Sequence, residues 1–284
     1  GKLDFKLHPS HQLSVRVNTF TNDNPWQSGG GNTAIERGNH FEDFMLSGAT
    51  QLVSSFGPNN LNELRVQVAY RNTTRPPADP SASGPSINIS ANNAQGLQAI
   101  NFGPYTGIGN DFTQRNTQLL NNYTMLRGIH SFKIGFNLQM IHDERGTPLP
   151  VQYTFPSVQA YLDARNGVNP RSYTSFSQTI GNPDFEMNNA TFAWFVQDDW
   201  KLRSNLKLLY GVRHDLYLYD KGIPGSPYSE TFNRDYNNLA PRAGIAWTLN
   251  ERNVIRANSG LNYDQPLLAI IERAYGMPPA GTPA

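Results

Sequence analysis

Phe192-Ala193-Trp194-Phe195-Val196-Gln197-Asp198-Asp199-Trp200-Lys201-Leu202, Arg203-Ser204-Asn205 and Leu206-Lys207-Leu208-Leu209-Tyr210-Gly211-Val212-Arg213-His214-Asp215-Leu216-Tyr217-Leu218 read as strand, turn and returning strand. Strand side chains alternate between two faces. Leu206, Leu208, Tyr210, Val212, Leu216 and Leu218 therefore share one face of the return strand, and Lys207, Gly211, Arg213 and Asp215 the other. Soluble sheets use strands of about five or six residues. Strands of about ten or more match the length that crosses a bilayer on a tilt. One face asks for hydrocarbon and the other for water, which points to an outer-membrane β-barrel.

The totals agree with that reading. Hydrophobic residues make up 38 % of 284 and the mean hydropathy is −0.53, so no stretch approaches the roughly 20 apolar residues of a membrane helix. Barrels escape that test because half of each strand faces a polar lumen. Lys and Arg number 23 against 22 Asp and Glu, far from the basic excess that phosphate contacts favour, which excludes nucleic acid as the expected partner. With no cysteine, disulfides, thiol nucleophiles and cysteine-held metals are excluded too. Gly1 is followed by no basic-then-apolar leader, and the chain is expected to be a piece of a longer protein.

Outward from the central hairpin the pattern repeats. Lys2 to His8 alternates, Pro9-Ser10 turns, and Gln12 to Phe20 returns. Further hairpins are read at His40–Ser54 with Leu61–Thr74, at Thr113–Leu126 with Ser131–Asp143, and at Leu239–Leu249 with Val254–Tyr263. Phe132, Ile134, Phe136, Leu138 and Met140 against Lys133, Gly135, Asn137 and Gln139 give the cleanest alternation. Gly, Pro, Ser and Asn mark 21–39, 75–112, 145–189 and 221–238 as loops. Within the third, Ser157 caps a short helix that Asn166-Gly167 ends. Another helix is expected over 266–275, with Asp264 as its cap and Gly276 as its stop. The sum is all-β: an antiparallel, up-and-down transmembrane barrel segment of about ten strands in five hairpins, with short periplasmic turns and long extracellular loops. All of 1–284 is read as part of one barrel domain. Compact soluble domains seldom carry several loops beyond about 15 residues.

Val196-Gln197-Asp198-Asp199-Trp200-Lys201, Asn205-Leu206-Lys207-Leu208 and Gly211-Val212-Arg213-His214-Asp215 resemble the barrel of TonB-dependent outer-membrane receptors. The likeness extends to the Oar-type subgroup, which carries a carboxypeptidase-regulatory-like domain, through Gly128-Ile129-His130-Ser131-Phe132-Lys133-Ile134-Gly135, Pro241-Arg242-Ala243-Gly244-Ile245-Ala246-Trp247, Val254-Ile255-Arg256-Ala257 and Tyr263-Asp264. The resemblance implies a barrel of about 22 strands with a plugged lumen. It also implies an inner-membrane-powered TonB-type coupling partner and a scarce, bulky nutrient of unknown identity. Nothing in the chain resembles the plug, the energy-coupling box or an aromatic-ended final strand, so the remaining strands and the plug are expected elsewhere in the full protein.

Trp200, Tyr210, Tyr217, Tyr219, Trp247 and Tyr263 are candidates for interfacial girdles, where an amphipathic ring sits between lipid and water. Lys207, Arg213, Asp215, Arg242 and Arg256 are candidates for the lumen, where charges pair across strands or meet plug and substrate. No enzyme, cofactor or metal site is expected. His142-Asp143-Glu144 cannot converge on one ion because neighbours in a strand point apart, and the same holds for Asp198 and Asp199 as an acid/base pair. His8 and His11 straddle a turn and are likewise read as plain surface residues. Gly107-Ile108-Gly109 lacks the strand, helix and lysine of a phosphate loop. Two other readings stay open: a secreted soluble carbohydrate-binding or hydrolytic β-domain, whose Trp and Tyr would stack on sugars, and a passive porin-like barrel. A lipid-facing charge, as in Leu208→Arg, is expected to be costly.

Overall fold

In the computed structural model, residues 1–27, 30–90, 98–104, 111–146, 149–180, 184–220, 236–265 and 270–271 are described. The strands in chain order are β1 (Lys2–His8), β2 (His11–Asn24), β3 (Phe41–Ser55), β4 (Asn60–Thr74), β5 (Ser86–Ile89), β6 (Ile100–Phe102), β7 (Asp111–Arg127), β8 (His130–Gly146), β9 (Val151–Phe155), β10 (Ser175–Gln178), β11 (Asp184–Arg203), β12 (Leu206–Tyr219), β13 (Asn238–Asn250) and β14 (Asn253–Gly260). Ten of them form one antiparallel sheet in the order β1-β2-β3-β4-β7-β8-β11-β12-β13-β14. Each strand of this sheet pairs with its neighbour along the chain, which is the up-and-down order the hairpins predict.

Short turns lie at one end of the sheet and the long connections at the other. The turn between β7 and β8 is Gly128-Ile129, and Gly128 takes φ +59°, where a side chain would clash with its own carbonyl. Register fixes the faces. Val196 lies opposite Ile134 on one side and Val212 on the other. Lys133 faces Gln197, and Gln197 faces Gly211. The apolar alternation of each strand is thereby carried across the sheet, because a one-residue slip would turn every side chain over.

Glycine matters at a close approach on the polar face. A Cβ on Gly135 would stand 2.6 Å from the Phe195 ring and 2.7 Å from the Asn121 carbonyl oxygen. Phe195, directly opposite Gly135 in register, lies across the space that the missing side chain leaves.

The long connections are not plain loops. The sequence gives 75–112 and 145–189 no strands, yet β10-β9-β5-β6 form a second sheet there. β5 runs parallel to β9, with Ile87 opposite Tyr153 and Ile89 opposite Phe155. Ile87, Ile89 and Phe155 are buried, with Phe102, Tyr153, Ala160, Tyr161, Ala164 and Tyr173 packed around them. Helix α1 (Val158–Arg165) closes this core, and the Ser157 hydroxyl accepts from the Ala160 N–H at 3.1 Å, as the capping pattern predicts. The strands missed are only three to five residues long, and the pairing that joins the two connections spans more than sixty residues of chain, as Ser86 does with Gln152, so no local signal marks them.

Other boundaries shift as well. β2 continues to Asn24, β11 begins at Asp184, and β14 ends at Gly260 rather than Tyr263. The expected helix over 266–275 lies outside the described residues except for Ile270 and Ile271, which are helical. Gly107-Ile108-Gly109 and most of 221–238 also lie outside them.

Candidate functional site

The polar face of the large sheet holds the charged candidates. Lys207 and Arg256 both stand opposite Ala246, Arg213 opposite Ala240, Asp215 opposite Asn238 and Arg242 opposite Gly211, so all five share one face. Arg213 pairs with Asp215 two residues on in the same strand: Nε donates at 3.0 and 2.9 Å and Nη2 at 2.7 Å. Asp215 is buried, and the guanidinium satisfies it. Lys207 and Arg256 help line a recess of about 590 Å³ with Asp199, Leu209, Gly244 and Asn258.

Sequence reasoning overlooked two features of this face. Asp43 is buried and takes Arg71 in a two-pronged contact, Nε at 2.9 Å and Nη2 at 2.7 Å, with the Thr73 hydroxyl donating at 3.2 Å. Lys2, Arg16 and Arg65 border a recess of about 350 Å³ together with Gln51, Gln67 and Gln118. The signal existed, since each residue falls on the polar parity of its strand, but only the register brings β1, β2 and β4 together. Amide ladders fill the space between, as where Gln118 Nε2 donates to Asn137 Oδ1 at 3.0 Å.

The apolar face carries part of the aromatic set. Trp200 lies opposite Leu208, Tyr210 opposite Asp198, and Trp247 opposite Leu206, all toward the short turns. His130 stacks between Phe132 and Trp200, with ring centres 5.4 Å from each. Asp198 is buried on this face, accepting from the Tyr210 hydroxyl at 2.8 Å and meeting His130 Nδ1 at 2.7 Å. Tyr217 and Tyr219 are placed otherwise. They lie opposite Thr191 and Asn189, on the face of Arg213 and Asp215, because odd positions of β12 turn away from Leu216 and Leu218. Tyr263 follows β14 outside any strand, and its carbonyl accepts from the Tyr217 hydroxyl at 3.3 Å.

His142, Asp143 and Glu144 separate as alternation demands. His142 Nε2 and Glu144 Oε1 touch at 2.9 Å on one face, while Asp143 is buried on the other and accepts from Gln114 Nε2 at 2.9 Å. Among the described residues no group of three or more His, Cys, Asp or Glu is placed to hold a metal ion.

At the loop end the small sheet gathers the connections after β2, β4 and β8 into one unit. Asn101 N–H donates to the Asn32 carbonyl at 3.0 Å, and Ala34 N–H to the Asn101 carbonyl at 2.9 Å. Glu36 accepts from the Gly103 N–H at 2.7 Å, and Arg37 Nη1 donates to the Pro104 carbonyl at 3.0 Å. The outward strand β10 is exposed along its length, with Phe176 beside Tyr153 at 4.8 Å between ring centres. In the loop before β5, the Ser81 hydroxyl and N–H both donate to Asp79, which holds its carboxyl below the usual range.

In overall fold the chain is similar to FpvAI in its complex with pyocin S2, with a TM-score of 0.57 and 12 % identity over 90 % of this chain and 33 % of that one. It is also similar to Pseudomonas aeruginosa FpvA bound to heterologous pyoverdines, at a TM-score of 0.52 and 13 % identity over 88 % and 33 %. The chain thus spans about a third of the length of these proteins. No curated protein matches it in sequence. The family model for the outer membrane beta barrel domain matches residues 1–222. The chain belongs to the outer-membrane β-barrel domain family, and its place is the outer membrane.

Proposed function

We propose that this chain is the barrel portion of a TonB-dependent receptor of the Oar-type subgroup that takes up a scarce, bulky nutrient. One observation carries the membrane part of this reading. The apolar face of the large sheet is left open: Ile134 is 53 % exposed, Met140 47 % and Val196 41 %. Soluble monomers seldom expose apolar patches beyond a few hundred Å², so this face requires lipid, and a soluble sugar-binding sandwich would have packed it against a second sheet. The polar face then lines the lumen, with Lys207, Arg213, Asp215, Arg242 and Arg256 toward plug and substrate, and with Trp200, Tyr210 and Trp247 at the periplasmic girdle.

Both outer strands, β1 and β14, are exposed along their lengths. An open sheet edge in hydrocarbon leaves backbone groups unpaired at several kcal/mol each, so further strands of the same protein pair with them. The plug of that protein, pulled by a TonB-type partner, opens the lumen. The folded loop unit captures substrate, and no bond-making chemistry is involved.

Membrane fractionation of the full-length protein, followed by protease shaving of intact cells, tests this. Cuts confined to the connections 25–40, 75–110, 147–183 and 221–237 support it. Recovery in the soluble fraction, or cuts at the short turns of intact cells, refutes it. Ion conductance by the purified full-length protein without energisation would favour the passive barrel instead.

A further inference from the structure

Lys207, Arg242 and Arg256 are kept from cross-strand pairing by the residues beside them. Ala246 stands between Lys207 and Arg256 in one row of the polar face. Arg242 has Gly211 on one side and Gly260 on the other. Among the described residues none of the three cations has a carboxylate within ion-pair distance. All three surround Gly244. That glycine lies opposite Leu209 and Asn258, so Lys207 and Arg256 are its diagonal neighbours, and Arg242 is two residues along its own strand. Such positions are about 7–8 Å apart, within reach of long side chains. Gly244 has no side chain to fill the middle, and it lines the recess of about 590 Å³ together with Lys207, Arg256, Asp199 and Asn258.

We infer that this recess binds a molecule carrying two or more oxyanion groups, of the phosphate or polycarboxylate class. Three cations face one carboxylate, Asp199, so the site keeps a net positive charge that such a ligand offsets. Guanidinium groups match phosphate and carboxylate oxygens with paired hydrogen bonds, and Lys207 adds a point charge. Asn258 brings an amide that can donate to a further oxygen. The buried carboxylates Asp215 and Asp43 on the same face are already held by Arg213 and Arg71, so they do not compete for the three. The site lies toward the short turns, since Lys207 is the second residue of β12 and Arg256 the fourth of β14. The inference rests on the transport reading proposed above and deepens it: the cargo is anionic and meets these cations on its way out of the lumen.

Sodium tripolyphosphate, a compact polyanion, is titrated calorimetrically into the full-length protein, purified in detergent and held in buffer free of divalent ions. Binding at one site per chain is expected, weakening as sodium chloride is added, because charge pairing at an open site is screened. Lys207→Gln, Arg242→Gln and Arg256→Gln should each weaken it about 10-fold or more. Gly244→Leu leaves every charge in place and fills the recess, so it should abolish binding; a Cβ there meets nothing closer than 3.5 Å. Arg115→Gln removes a cation from the opposite face, where Arg115 donates to Glu144 at 2.8 Å, and should leave binding unchanged. Gel mobility with and without boiling establishes that each variant is folded. Binding that survives Gly244→Leu or the glutamine variants, or equal loss in Arg115→Gln, overturns the proposal. So does a native protein that binds no tripolyphosphate; if the glutamine variants then unfold at lower temperature, acidic residues of the protein itself take the three cations. Membrane fractionation reports separately on the transport reading, so a protein recovered in the membrane without the anion site refutes this inference alone.

Discussion

Ile134→Arg places a cation on the open apolar face, and its cost follows from depth. On β8 the apolar row runs Phe132, Ile134, Phe136, Leu138 and Met140, with His130 below and His142 and Glu144 above. Eight residues at about 3.4 Å each, on a strand tilted by about 40°, give a row roughly 21 Å tall, close to the apolar band of about 25 Å of such barrels. Phe136 marks its centre, and Ile134 lies about 5 Å nearer the short turns. Arginine costs about 2–4 kcal/mol at the midplane and about 0–1 near the interfaces, so about 2 kcal/mol is expected for Ile134→Arg. That is roughly a 30-fold loss in the folding equilibrium. Asn137→Arg, on the polar face, should cost under about 0.5 kcal/mol. Leu208 lies two residues into β12, which starts at Leu206, so Leu208→Arg sits near the interface rather than at mid-depth and falls at the low end. Reversible urea unfolding of the full-length protein in phospholipid vesicles, followed by tryptophan fluorescence, measures all three. Equal costs for Ile134→Arg and Asn137→Arg, or a larger cost for Leu208→Arg than for Ile134→Arg, would refute the assignment of faces and depth.

Gly135→Ala should destabilise by about 1–3 kcal/mol in the same assay. Adding Phe195→Ala should restore little, since the Asn121 carbonyl at 2.7 Å from the new Cβ is backbone and cannot yield. Arg213→Leu leaves Asp215 buried without its donor, at about 1–3 kcal/mol, and Arg213→Leu with Asp215→Asn should recover most of that; an additive double variant would show that the pair is not coupled. Ser157→Ala removes the cap of α1, with about 1 kcal/mol of local stability. Faster protease cleavage within 149–180, with no change in global unfolding, is the expected signature.

The large sheet was legible because a strand with one face in hydrocarbon and one in water has a strict period of two. Phe132 to Met140 shows it without interruption, and the turn residues Gly128 and Asn205 mark where the strands reverse. The beginning of β11 was not legible, because Glu186 and Asn188 fall on the parity of Phe192, Trp194 and Val196 while Met187 falls on the opposite one, so the alternation inverts there. The faces of Tyr217 and Tyr219 follow from counting from Leu216, but a tyrosine near a strand end satisfies the interfacial pattern from either face, so composition alone misplaces it. Of the candidate site, the five charges at Lys207, Arg213, Asp215, Arg242 and Arg256 share a face as parity required. The Asp43–Arg71 contact and the gathering of Lys2, Arg16 and Arg65 needed the register of strands whose partners are not marked in sequence.

If the loops capture substrate as proposed, the loop sheet sets what that capture surface can be. Flexible loops pay an ordering cost on each binding event, about 0.5–1.5 kcal/mol for every side chain immobilised. Here Ile87, Ile89 and Phe155 bury a small core of their own, and Glu36, Arg37 and Asn101 tie the connection after β2 to that core. Ordering is therefore completed in folding, and residues such as Phe176 on the outward strand are presented on a fixed frame. On the transport reading proposed above, the same arrangement restricts how the lumen can open. With the described parts of the connections after β2, β4 and β8 held in one unit, movement of any of them carries the others, so access changes by displacement of the whole unit or by movement of what lies beneath it. A disulfide introduced between the connection after β2 and β6 should then leave substrate binding intact, whereas independent loop closure would make the same crosslink block it.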